Sequence, residues 1–207
     1  MKTTSIIITL FLLLTACASS ELDIDAYFKY LAEPSNGLYK TKRVQQFEIR
    51  ARYLPVDYLI YKDYKRDKNL TTINIDSLKE NYQGSLTFLL QIAPNKAEGH
   101  EFDVMTQTVS TVTDFKSQSH HMNFEMQEHL SLKIGDQVFK PVLVELENTY
   151  ELTQHRNFMV TYALDAATLA SDYKSIDFVY QDELFGTGIH HFLFEQRAIE
   201  KTPTIKL

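Results

Sequence analysis

The stretch HMNFEMQEHLSLKIGDQVFKPVLVEL, residues 121–146, decides how the fold is read. Met122, Phe124, Met126, Leu130 and Leu132 alternate with Asn123, Glu125, Gln127, His129 and Ser131, and a period of two predicts a strand with one face on a core and the other in water. Gly135-Asp136 then turns the chain, and Val138 to Leu146 has the β-branched and apolar density of a second strand. The stretch therefore reads as a hairpin. Pro141 has no N–H to give a ladder, which puts the second strand at an edge or a bulge.

Working outward, Phe158 to Leu164, Ile176 to Tyr180 and Ile189 to Phe194 supply three more short strands, joined by a helical turn over Ala166 to Ala170 and by Gly186-Thr187-Gly188. Upstream, Leu86, Phe88, Leu90 and Ile92 mark a core strand over Ser85 to Ile92. Val44 to Tyr53 alternates as a half-exposed strand with Phe47, Ile49, Ala51 and Tyr53 on its apolar side. Helical spacing predicts short helices over Leu22 to Leu31, Val56 to Tyr64 and Asp76 to Tyr82, and Phe102, Met105, Val109, Val112 and Phe115 fit one helical face. The expected class is mainly β with some helix (α+β): an antiparallel β-sandwich, immunoglobulin-like in outline, with short helices in the N-terminal half. The chain has no tryptophan and a single cysteine, so the immunoglobulin comparison concerns outline alone.

The 207 residues are 44% hydrophobic and 12% aromatic, enough for one domain with a real core and too apolar for disorder. Six glycines, five prolines and no repeat leave no composition shift that marks a linker. A formal charge of −6 opposes binding to nucleic acid or to anionic lipid heads.

At the N-terminus, Lys2 precedes an apolar run from Ile6 to Leu14 and the tetrad Leu14-Thr15-Ala16-Cys17. The run is shorter than the roughly 20 residues that span a bilayer and matches a signal-peptide core. The tetrad resembles the lipobox of bacterial lipoproteins. The resemblance implies cleavage before Cys17, a lipid on its sulfur, and a layout of signal peptide (1–16), lipidated tether (17–25) and single β-rich ectodomain (26–207). The expected partners are then the membrane, through the lipid anchor, and a protein or glycan. Ala18 stands where an aspartate retains enterobacterial lipoproteins in the inner membrane, so the resemblance favours the outer membrane. Glu21, Asp23 and Asp25 resemble the acidic surface-export signals of Bacteroidota lipoproteins, and the overall pattern looks like uncharacterised lipoproteins of that phylum. Asp76-Ser77-Leu78 is similar to the O-glycosylation acceptor used there, which nominates Ser77.

No G-x-S-x-G elbow, P-loop or H-E-x-x-H occurs, and no cysteine is left free once Cys17 is lipidated. Of the seven histidines, the adjacent pairs His120-His121 and His190-His191 point to opposite faces of a strand. His121 and His129 share a face but, on a strand, lie about 26 Å apart, too far to share a metal. No cofactor or metal is expected. Glu145 and Glu147, two apart, share a strand face and are the carboxylate pair to consider for acid–base work. Tyr53, Tyr58, Tyr61 and Tyr64 crowd the region beside Lys62, Lys65, Arg66 and Lys68, and rings next to cations suit recognition of protein or sugar. Tyr58, Tyr61, Tyr64 and Lys65 are the partner-binding candidates of a non-catalytic ectodomain. The alternative is an envelope hydrolase or metal-binding protein using histidine and carboxylate groups.

Overall fold

The computed structural model describes residues 21–66, 72–148 and 153–206. Cys17 and the tetrad that resembles a lipobox lie outside them. The fold is mixed α+β, mostly antiparallel sheet with a few helices, and neither large sheet closes into a barrel. No helix among the described residues is long and apolar enough to cross a membrane.

The described residues begin with β1 (Glu21–Leu22), which pairs in parallel with β11 (Thr204–Ile205). Helix α1 (Ile24–Ala32) follows, capped by Asp23, whose side chain accepts the Ala26 N–H at 2.8 Å. It buries Tyr27 and Leu31. A 3-10 turn over Pro34–Asn36 ends on Gly37 at φ 80°, a left-handed position that favours glycine. The first sheet has the order β2 (Tyr39–Val44), β3 (Phe47–Leu54), β4 (Ser85–Pro94), β8 (Arg156–Ala163), β7 (Leu143–Leu146), every pair antiparallel. Helices α2 (Val56–Arg66) and α3 (Thr72–Tyr82) are inserted between β3 and β4. The second sheet runs β10 (Gly188–Glu195), β9 (Ser175–Asp182), β5 (Leu130–Ile134), β6 (Gln137–Phe139). Short helices α5 (Ala166–Leu169) and α6 (Gln196–Glu200) complete the chain.

The apolar faces of the two sheets meet. Phe88 of β4 stacks on Phe178 of β9 with ring centroids 5.0 Å apart, Phe194 of β10 approaches Phe88 at 5.2 Å, and Tyr162 of β8 meets Phe178 edge-on. The expected inward sets Phe47/Ile49/Ala51/Tyr53 and Leu86/Phe88/Leu90/Ile92 are all buried.

Four expectations are corrected. Residues 44–53 are not one strand. Val44 pairs with Phe47 across a two-residue turn at Gln45-Gln46, where Gln45 has φ 53°. Neither turn residue is the Gly, Asn or Asp that announces such a turn. The second correction concerns residues 121–129, which are helical. Helix α4 (Val112–His120) continues through a π-helical turn (His121–Glu125) and a 3-10 turn (Met126–His129), and the strand starts only at Leu130. Gln118, Met122 and Met126, four apart, are the buried face, while Phe124 is 68% exposed. Apolar residues four apart satisfy period 2 and period 3.6 alike, and only the exposure of Phe124 separates them.

Third, the helix expected over 102–115 begins at Val112. Thr111 and Asp114 form a reciprocal capping box there, and Val104 enters the core from non-helical chain. Fourth, 138–146 is not one strand paired with 121–132. β6 ends at Phe139, the chain crosses at Lys140-Pro141-Val142, and β7 joins the other sheet beside β8. Pro141 marks the crossing rather than an edge within one ladder.

Candidate functional site

Helix α2 presents Tyr58, Tyr61, Lys62 and Lys65 at helical spacing toward one groove. Phe28, on the flank of α1 beside its buried stripe, meets both rings edge-on, at 5.7 Å from Tyr58 and 5.2 Å from Tyr61. Arg66 and Glu147 complete a groove of about 450 Å³. Of the four partner-binding candidates, the structure brings Tyr58, Tyr61 and Lys65 together here. Tyr64 does not line the groove.

The charges of the groove are only partly neutralised. Lys62 Nζ donates to Glu147 Oε1 at 2.9 Å, and Glu147 Oε2 accepts from Asn157 Nδ2 at 3.0 Å. Burial opposes ionisation of both. The hydrogen bond and mutual attraction outweigh it, so Lys62 sits above the ordinary lysine value and Glu147 below the ordinary glutamate value. Lys62 and Asn157 thus hold Glu147 as a carboxylate, which makes it a poor proton donor beside Glu145. Arg66 pairs with Asp63 at 3.0 Å, and Asp63 also accepts the Tyr82 hydroxyl at 2.6 Å. Lys65 has no partner among the described residues.

The Glu147 bond is one end of a polar ladder across the first sheet. Asn157 on β8 accepts from Gln91 Nε2 on β4 at 2.8 Å, and Gln91 Oε1 accepts from Arg50 Nη1 on β3 at 2.6 Å. The register places Arg50 opposite Gln91 and Gln91 opposite Asn157. Glu48, 4% exposed, ion-pairs with Arg43 at 2.6 Å and with Arg50.

A larger depression of about 810 Å³ lies between the β5–β6 turn and α5, and two of its four carboxylates are in use. Asp165 caps α5, and Asp177 accepts from His191 Nδ1 at 2.7 Å.

The histidines are where sequence geometry failed most. His121 and His129 stack, with ring centroids 4.7 Å apart, because the intervening residues are helical. His121 Nδ1 lies 3.1 Å from one oxygen of Glu125 and His120 Nε2 3.4 Å from the other, so this adjacent pair meets one carboxylate instead of facing apart as on a strand, while His129 Nδ1 lies 3.9 Å from Glu183. Neither His129 nor Glu125 lines the shallow depression beside His121. Among the described residues no group of three or more His, Cys, Asp or Glu side chains is arranged to hold a metal ion.

A second cluster pairs a hydroxyl, an imidazole and a carboxylate in the β9–β10 loop. Thr187 Oγ1 contacts His190 Nε2 at 2.8 Å and also contacts Asp182 Oδ2. The hydroxyl hydrogen goes to the carboxylate, so Nε2 must donate to the hydroxyl oxygen. An imidazole that donates to the hydroxyl is not its base, and the carboxylate engages the hydroxyl instead of orienting the ring. This cluster is a loop lock.

No protein-family model matches the chain, and no curated protein matches it. A solved structure from Burkholderia pseudomallei, described as a novel protein of unknown function, is similar to it. The identity is 12%, over 88% of this chain and 94% of that one, with a TM-score of 0.37. A score at that level carries nothing over to this chain.

Phe28 was absent from the expected site, and its signal was local: a large aromatic outside the apolar stripe of a short helix. Ser77 is exposed on α3.

Proposed function

We propose that the chain is an envelope lipoprotein, anchored through Cys17 and directed to the outer membrane, whose non-catalytic ectodomain binds a protein or glycan partner in the α1–α2 groove. The observation that carries the partner site is the groove itself: three rings, Phe28, Tyr58 and Tyr61, beside Lys65, which has no partner among the described residues. Rigid aromatic area next to an ionic group offers stacking and a charge-assisted hydrogen bond at low cost in side-chain entropy. The two sheets, meeting through Phe88 and Phe178, are read as an antiparallel sandwich of immunoglobulin-like outline that serves as scaffold.

The test is purification of the full-length chain from membranes in mild detergent, with Tyr61→Ala and Lys65→Glu compared against Lys133→Glu on the second sheet. A partner retained by wild type and Lys133→Glu but lost from both groove variants supports the reading. Equal retention by all four overturns it. Cys17→Ala tests the anchor separately, and normal fatty-acid labelling of that variant would overturn the localisation.

A further inference from the structure

The polar ladder ends, on the side away from the groove, at a partly open cavity of about 180 Å³ walled by Arg50, Ala93, Pro94, Lys96, Gln154 and His155. At roughly 30 Å³ per liquid water, that volume holds a few waters or a single oxyanion. The surrounding charge is positive on a chain whose net charge is −6. Arg50 spends one donor on Gln91 and one on Glu48, leaving three of its five N–H groups. Lys96 is exposed and has no partner among the described residues. Arg156, next in the chain to His155, is tied to the Thr153 and His155 carbonyls and to Asp103 at 2.6 Å. The field of these cations is visible in His155, whose pKa is held below the ordinary value by burial first and then by Arg156, Arg50 and Lys96, with Glu147 pulling the other way.

We propose that this cavity is an oxyanion-binding site, taking one phosphate, sulfate or carboxylate group held by the Arg50 guanidinium, the Lys96 ammonium and an N–H of His155. The three groups differ in how they bind. Arg50 offers a planar fork, Lys96 a mobile point charge, and His155 a donor whose charge rises when an anion arrives. The site does not depend on the groove being a partner site.

The experiment is an NMR titration of the full ectodomain with inorganic phosphate, following the His155 ring protons at constant ionic strength balanced with sodium chloride. A saturable shift is expected, with the His155 pKa rising on binding and the affinity tightening by the same factor as pH falls, since linkage is reciprocal. Arg50→Gln removes a charge-assisted hydrogen bond and should weaken binding roughly tenfold. Lys96→Gln, in an exposed turn, should weaken it several-fold without touching Glu48, so it decides the matter if Arg50→Gln does not fold. Sulfate and acetate arms separate tetrahedral anions from carboxylates, and saturation by any one of the three anions supports the site. A response that follows ionic strength alone, or one that Lys96→Gln leaves unchanged, overturns it.

Discussion

Asp182→Ala should be among the most damaging single substitutions in this protein. Asp182 is 5% exposed and accepts five hydrogen bonds. Oδ1 takes the Tyr180 hydroxyl at 2.9 Å and the Leu184 and Phe185 N–H groups at 3.1 Å each; Oδ2 takes the Thr187 N–H at 2.9 Å and the Thr187 hydroxyl. Truncation leaves the Tyr180 hydroxyl, on a residue 1% exposed, without this acceptor. A buried donor stranded in this way costs about 1–3 kcal/mol. The three loop amides can be rehydrated and lose about 0.5–1 kcal/mol each. Phe185, which the lock holds 4.5 Å from Phe47 of the first sheet, loses its tether as well. The sum is about 3–5 kcal/mol, a large part of the roughly 5–15 kcal/mol that holds a domain together. At about 2–4 °C per kcal/mol for this chain length, Tm should fall by roughly 10 °C or more. Thermal and urea unfolding measure it. Asp182→Asn keeps one acceptor oxygen but turns an NH2 toward donors, so it should fall between the two. In Asp182→Ala, Tyr180→Phe should cost less than in wild type, because the hydroxyl has already lost its partner. A Tm within about 3 °C of wild type for Asp182→Ala would refute the lock.

Stability should decline as pH falls below 6.5, the ordinary histidine value. Burial, the largest influence on each, holds His121, His155 and His190 below that value, so the fold keeps them neutral while the unfolded chain protonates first. Tm measured from pH 8 to pH 5 should be flat above about 7 and drop below 6.5, and His190→Gln should shrink the drop. Glu147, depressed by Lys62 and Asn157, adds a further loss only below its ordinary value of 4.5. Thr111→Ala removes the hydroxyl that accepts the Asp114 N–H at 3.1 Å and should cost about 1 kcal/mol in urea unfolding. Gln45→Gly should stabilise by about 0.5–1 kcal/mol, because the φ of 53° is one that side chains resist; a lower midpoint would count against strain at this turn.

Strands whose apolar residues alternate with a period of two in the sequence were legible. Phe47 to Tyr53 and Leu86 to Ile92 presented the expected faces, because side-chain direction along a strand needs no knowledge of the partner. The sheet to which a strand belongs was not legible. Val138 and Val144 read as one strand, yet they end in different sheets, and nothing local distinguishes an edge proline from one at a crossing. Residues 121–129 failed for a different reason. Their apolar positions satisfy two periods at once, and the deciding signal lay upstream in the Thr111–Asp114 capping box, which starts a helix that the weak formers Thr113, Ser117 and Ser119 then continue.

The groove was half legible because half of it is local. Tyr58, Tyr61 and Lys65 share a face of α2 by spacing alone, whereas Phe28 comes from another helix and Glu147 from beyond β7. The ladder from Arg50 through Gln91 and Asn157 to Glu147 was wholly illegible, since its partners are 41, 66 and 10 residues apart and meet only through strand register. That register has a mechanical consequence. Each amide in the ladder donates to one neighbour and accepts from the other, so its orientation is fixed from both sides. A charge arriving at Arg50 therefore acts on a chain of oriented dipoles that ends at the Lys62–Glu147 pair. Gln91→Leu, which interrupts the ladder between β3 and β8 without removing a charge, should leave both cavities lined as before while freeing Arg50 and Glu147 from one shared constraint. Binding in the two cavities should therefore be coupled in wild type and uncoupled in Gln91→Leu, which a two-ligand titration reads as equal affinities in the presence and absence of the second ligand for the variant alone; equal affinities in wild type would refute the mechanical link.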